Sequence, residues 1–206
     1  MAKLTLTAFL SLDGVVQGPG GPGEDTSGGF EYGGWVVPYA DEDMGRIVVE
    51  WFGGASAFLL GRRTYEIFAG YWPRVTDEQD PIATSLNTLP KYVASTTLDT
   101  LDWQNSTLLD TDVPRAVAKL KRELDGELQI HGSGNLAQSL MAHDLIDEFR
   151  LMVYPVVLGT GKRLFAEGAV PTALRLLDSR TTGAGVAAHT YQLAGRPTYG
   201  SFDLED

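Results

Sequence analysis

The chain has 206 residues, 43% of them hydrophobic, and its 16 basic and 27 acidic side chains leave a formal net charge of −11. That length suffices for one domain with a full core; the acidity argues against a nucleic-acid surface, and no apolar run approaches the roughly 20 residues of a membrane helix. Cysteine is absent, which excludes disulfides, thiolate catalysis and cysteine-ligated metals, and the three histidines, His131, His143 and His189, have no short metal-ligand spacing.

The chain opens on an alternating strand, with Leu4, Leu6 and Ala8 against Thr5, Thr7 and Phe9. It lacks the long apolar stretch of a secretion signal, so a cytoplasmic location is expected. Residues 17–34 are glycine-rich and predict a flexible loop, either an active-site flap or a disordered segment. Met44, Ile47, Val48 and Trp51 recur at helical spacing behind Asp41-Glu42-Asp43, and Gly53-Gly54 ends that helix. A strand is expected over 57–60 and a second helix from Thr64 to about Ala69. Residues 81–88 fit no single template. Strands follow at 91–95 and 106–109. Val113, Val117, Leu120 and Leu124 mark a third helix, with Asp112 as N-cap and Pro114 at its first position. Residues 127–131 read as a strand, and Leu136, Ala137, Leu140 and Met141 share a face of the fourth helix. A long strand over 149–158 is interrupted by Pro155, and strands at 173–177 and 186–193 complete the pattern. The alternation predicts a single α/β domain over 1–206 with a mixed, mainly parallel sheet of about eight strands and about four helices.

The segment Gly61-Arg62-Arg63-Thr64 follows the apolar run Ala57-Phe58-Leu59-Leu60. A strand that ends in a glycine turn and starts a helix presents unpaired N–H groups with partial positive charge. Arginine forks there suit phosphate oxygens. Gly132-Ser133-Gly134 repeats the arrangement after another strand, and two such cradles suggest a dinucleotide. The alternatives are surface ion pairs for Arg62 and Arg63, and an ordinary strand-to-helix turn capped by Ser133. Asp13 and Asp43 are candidate acids, with Asp-Gly turn chemistry and helix-start charge as the respective alternatives. Trp35, Tyr71 and Trp72 suit either stacking on a planar heterocycle or a place in the core. His131 suits a hydrogen bond to cofactor or substrate, and His143 and His189 read as structural. Gly159-Thr160-Gly161-Lys162 fails the nucleotide-loop pattern, with Val156 where the first glycine belongs and Arg163 in place of Ser/Thr. A hairpin turn is the simpler reading, with Lys162 or Arg163 on a substrate phosphate as the other.

Taken in order, Ser11-Leu12-Asp13-Gly14, Gly61-Arg62-Arg63-Thr64-Tyr65-Glu66, Lys91-Tyr92-Val93-Ala94-Ser95, His131-Gly132-Ser133-Gly134-Asn135-Leu136 and the 149–158 strand with Gly159-Thr160-Gly161 resemble the dihydrofolate reductase-like superfamily. Within it the chain is most similar to the reductase domain of the bifunctional riboflavin-pathway deaminase–reductase and its stand-alone bacterial relatives, over about residues 3–194. The resemblance implies a three-layer domain, NADPH as cofactor and a homodimer. It implies that Gly61, Arg62 and Thr64, with Arg63 beside them, meet the 2′-phosphate and pyrophosphate. Ser95 and Thr96 would lie near the adenine ribose, and Gly132, Ser133, Gly134 and Leu136 would form the second pyrophosphate loop. Ala8 and Gly14 would surround the nicotinamide. The helix acid that binds pterin in dihydrofolate reductase falls near Gly45 here, which argues against folate reduction and leaves Asp43 or Asp13 as the acid. Without cysteine, and without room for a zinc domain, deamination is not expected. The expected activity is hydride transfer to 5-amino-6-(5-phosphoribosylamino)uracil or a similar small heterocycle. A pterin reductase and a non-catalytic NADPH-binding module are the alternatives.

Overall fold

The computed structural model describes residues 1–110 and 112–202; Thr111 and residues 203–206 of the expected domain lie outside the described residues. Eight strands form one sheet: β1 (Lys3–Ser11), β2 (Ala57–Gly61), β3 (Lys91–Ala94), β4 (Ser106–Leu109), β5 (Glu127–His131), β6 (Glu148–Tyr154), β7 (Leu174–Thr181) and β8 (Ala187–Leu193). Their order is β4-β3-β2-β5-β1-β6-β8-β7. The first six pair in parallel, and β8 runs antiparallel to both β6 and β7.

Parallel strands at the centre of such a sheet are covered on both faces, so both alternating sets of side chains are buried. On one face Leu4, Leu6, Leu59, Leu128, Ile130 and Phe149 pack with Val117 and Leu140. Those last two come from α4 (Val113–Glu123) and α5 (Gly134–Met141). The opposite face carries α1 (Glu42–Phe52), α2 (Arg62–Tyr71) and α3 (Pro81–Thr88), through Phe52, Tyr65 and Leu86 against Phe58, Leu60 and Val93. The arrangement is three layers.

Five α-helices are present among the described residues, one more than the pattern suggested. The added one is α3, whose eight residues are too few for a clear period. Asp80 fixes its start by accepting hydrogen bonds from Ile82 N and Ala83 N, and Pro81 stands in its first turn. Asp41 caps α1 and Asp112 caps α4 in the same way, with Pro114 second rather than first in α4. α2 starts at Arg62, two residues before the expected Thr64, because Gly61 already takes the N-cap position with extended backbone. β6 stops at Tyr154, since Pro155 has no N–H for the ladder. β7 runs on to Thr181 past an irregularity between Leu176 and Asp178.

Candidate functional site

β2 and β5 are neighbours in the sheet, and each is followed by a helix on the opposite face. The two helix starts therefore meet at one edge. There the C-terminal ends of β1, β2, β3 and β5 border a cleft of about 1530 Å³, the place where open α/β sheets bind ligands. Gly132 and Ser133 are consecutive left-handed residues, at φ 57° and 54°, that turn the chain out of β5 into α5. The Ser133 hydroxyl accepts a hydrogen bond from Gly61 N–H at 3.0 Å and lies 2.9 Å from Thr64 Oγ1, so it joins the two glycine turns. Neither α2 nor α5 has a side-chain cap, whereas α1, α3 and α4 are each closed by an aspartate.

Eleven of the residues singled out from the sequence border this cleft: Ala8, Gly61, Arg62, Arg63, Thr64, Ser95, Thr96, Gly132, Ser133, Gly134 and Leu136. Gly14 does not. Its N–H donates to Ser11 O and its carbonyl accepts from Leu164 N, which makes it a turn residue. The Ser95 hydroxyl is spent on the turn after β3, accepting from Thr97 N and Leu98 N.

The two expected acids stand outside the cleft wall. Asp13 accepts from Ser11 Oγ at 2.7 Å, Leu158 N at 3.1 Å and Gly159 N at 2.9 Å, with the Arg163 guanidinium at 3.3 Å. The Ser11 hydroxyl, followed by those backbone N–H groups, holds its carboxyl well below the usual carboxylate range. It is an anchor for the loop after β6 and has no proton to give. Asp43 accepts from Gly183 N at 3.0 Å and pairs with Arg46. The turn at Gly159–Gly161 makes no hairpin; it leads back to an isolated bridge between Arg163 and Val15.

The glycine-rich segment is packed around a buried Gln17. Its amide donates to Asp25 O and Ser27 O and accepts from Lys162 N, while its backbone carbonyl takes the Trp35 indole N–H at 2.8 Å. Trp35 stands edge-on to Tyr154 in the core, which settles it as a packing residue; Tyr71 and Trp72 border the cleft. Asp25 draws in Arg63 and, at 2.7 Å, Lys162 Nζ. Although burial opposes it, those two cations and the Ser27 hydroxyl hold its carboxyl well below the ordinary range. Arg62 has only a 3.8 Å contact with Glu66 one turn on, and both are half exposed.

Glu24 and Thr7, both at the cleft, escaped the sequence reading. Glu24 accepts from Gly20 N, and burial raises its pKa above the usual value. The signal available was that Glu24 and Asp25 are the only charges between residues 17 and 30. Lys162 and Arg163, offered from the sequence for a substrate phosphate, both border the cleft, with Lys162 in an ion pair with Asp25. Thr7, read only as a strand residue, is 4% exposed at the cleft floor, and its Oγ1 has no hydrogen-bond partner.

Beside Thr7 in the sheet stands His131, stacked on Phe52 at 4.1 Å. Its protonation follows from a chain of fixed partners. Gln129 Nε2 donates to Trp51 O at 2.6 Å and to Glu127 Oε1, both of which only accept. Gln129 Oε1 must then accept, so His131 Nε2, 2.9 Å away, carries the hydrogen and Nδ1 carries a lone pair. Burial, with the nearby Arg150 charge, pushes the imidazole pKa down to about 3, so the ring is neutral. Arg150 closes the network with a bidentate pair to Glu127 at 2.7 and 3.0 Å and a 3.0 Å bond to Glu148.

Known proteins share this architecture. The uncharacterised protein YyaP of Bacillus subtilis is 27% identical over 195 residues, covering 94% of this chain and 96% of its own. YwjB of the same organism, also uncharacterised, is 29% identical over 188 residues, covering 91% and 96%. Among solved structures, a protein of Shewanella sp. PV-4 described as a riboflavin biosynthesis protein superposes with a TM-score of 0.69 at 22% identity, over 94% of this chain and 99% of that one. The diaminohydroxyphosphoribosylaminopyrimidine deaminase/5-amino-6-(5-phosphoribosylamino)uracil reductase of Thermotoga maritima gives 0.60 at 12% identity, and this chain spans 57% of its length. The family model of the RibD C-terminal domain matches residues 2–188. The chain belongs to the RibD C-terminal domain family, a reductase-type domain.

Proposed function

We propose that this protein is an NADPH-dependent reductase acting on a small planar heterocycle, with 5-amino-6-(5-phosphoribosylamino)uracil or a related amino-pyrimidine as the substrate class. The observation that carries the reading is the meeting of two uncapped helix starts, α2 and α5, at one cleft, when every other α-helix among the described residues is capped by aspartate. Uncapped N–H groups at converging positive dipole ends are a place for a pyrophosphate. The lightly engaged Arg62 suits the additional 2′-phosphate that distinguishes NADPH from NADH.

In this reading Gly61, Thr64, Gly132, Ser133 and Gly134 hold the phosphates, with Leu136 beside them, and Ala94 and Thr96 face the adenosine end. Ala8 and Phe9, at the β1 edge of the cleft, lie beside the reacting ring. A bound reduced nicotinamide supplies a hydride. The protein's part is position, exclusion of water and a proton. Among the cleft carboxyls Asp25 and Asp41 are held below their usual range, and Asp80 is the cap of α3. Glu24 is shifted the other way by burial, with Oε2 accepting from Gly20 N, and it is the carboxyl assigned here to supply the proton.

The test is a titration of the protein with NADPH and with NADH, followed by fluorescence of its four tryptophans, repeated with Arg62→Ala. The expected result is a preference for NADPH of about tenfold or more, roughly 1.4 kcal/mol, that the variant loses. Failure of both nucleotides to bind removes the reductase reading.

A further inference from the structure

The floor of the cleft carries a second, uncharged recognition element. Thr7 and His131 are register partners on adjacent parallel strands, so their side chains stand on the same face about 5 Å apart in backbone spacing. Thr7 Oγ1 is buried without a partner. A buried hydroxyl left unpaired is costly and uncommon, and a ligand that completes it relieves the cost. His131 Nδ1 likewise has no partner among the described residues, and both residues border the cleft.

The chemistry of the pair is fixed by its surroundings. His131 Nδ1 can only accept, because the network through Gln129, Trp51 O and Glu127 places the ring hydrogen on Nε2. A ligand must therefore bring an N–H to it. Thr7, with no acceptor of its own, has its hydroxyl hydrogen free for a carbonyl oxygen. We propose that Thr7 Oγ1 and His131 Nδ1 together read the neighbouring N–H and C=O groups of an uncharged amide. Two molecules could bring that amide, the carboxamide of a nicotinamide or the lactam edge of a pyrimidine. The assignment deepens the reductase reading by naming what the cleft floor recognises.

The experiment uses Thr7→Val, which keeps the shape and removes the hydroxyl, and Thr7→Ser, which restores it. Equilibrium binding is measured for NADP+ and its 3-acetylpyridine analogue, which lacks the amide N–H. The same is done on NADP+-loaded protein for uracil and for 1,3-dimethyluracil, which keeps its carbonyls but has no N–H. If the carboxamide is read, NADP+ binds about tenfold more weakly to Thr7→Val, binding recovers in Thr7→Ser, and the acetylpyridine analogue is penalised by the native protein. If the lactam is read, NADP+ is unaffected, uracil shows that same loss and recovery, and dimethyluracil is excluded. Unchanged binding of both probes to Thr7→Val overturns the inference while the selectivity at Arg62 still upholds the reductase. Thr7-dependent uracil binding by nucleotide-free protein, should no nucleotide bind, does the reverse. A native protein that binds neither probe counts against both.

Discussion

Gly61 and Ser133, 72 positions apart, are joined by a hydrogen bond of 3.0 Å from the glycine N–H to the serine hydroxyl. One side chain thus satisfies the backbone at the start of α2 while its own backbone starts α5, and it sets the distance between the two helix starts. Ser133→Ala leaves the Gly61 N–H without this acceptor. The expected cost is about 1–2 kcal/mol of stability, with NADPH binding weakened beyond what that loss of stability accounts for. Calorimetric melting with and without nucleotide checks both parts.

Asp25 fastens the glycine-rich segment to α2 through Arg63 and to the loop after β6 through Lys162. Both cations are roughly half exposed, so the ties are screened by salt and contribute about 1 kcal/mol or less to stability. Asp25→Asn is expected to leave the melting temperature nearly unchanged but to speed chymotrypsin cleavage around Phe30 and Tyr32 severalfold. Raised salt should speed cleavage of the native protein in the same direction. An unchanged cleavage rate would show that Gln17 alone holds the segment.

The buried Arg150, Glu127 and Glu148, with the exposed Lys3 at their edge, form a group balanced in charge. Arg150→Met strands two carboxylates and is expected to cost about 3–5 kcal/mol. Pairing it with Glu127→Gln should return part of that loss. Urea denaturation of the single and double variants measures it, and additive effects would disprove the coupling.

His131 makes the fold acid-sensitive in a defined window. Its folded pKa is about 3 against 6.5 when free, so between those values the unfolded chain binds the extra proton. Stability therefore falls as the pH drops from about 6.5 towards 3, by up to about 1.4 kcal/mol per unit from this group. His131→Phe keeps the stacking on Phe52 and removes the titration. The difference in unfolding free energy between the native protein and this variant should shrink on acidification, and a constant difference would refute it.

Most of the sheet was legible because buried parallel strands leave dense apolar runs, as in Ala57-Phe58-Leu59-Leu60, and because glycine turns follow two of them. The pair of glycine turns at the cleft was legible for the same reason: Gly132 adopts a left-handed conformation and Gly61 lies against Ser133. The acids were not. Asp13 and Asp43 sit in motifs that look chemical, yet their oxygens are taken by backbone N–H groups from residues 158–159 and 183, contacts that no local pattern encodes. Thr7 was hidden in plain alternation. Its significance lies in a missing partner, which only three-dimensional packing reveals.

The carbonyl of Trp51, in the last turn of α1, accepts from both Gln129 Nε2 and Arg150 Nη1. Two buried side chains from different strands thereby rivet the end of that helix to the sheet. The opposite bank of the cleft is fastened in part by half-exposed ion pairs on Asp25. The two banks consequently differ in compliance: α1 serves as a fixed jaw, and adjustment to the size of a ligand falls to the glycine-rich side. Under the proposed reading, substituents that vary between substrates would be accommodated there, and the shared ring edge would be registered against the immobile floor.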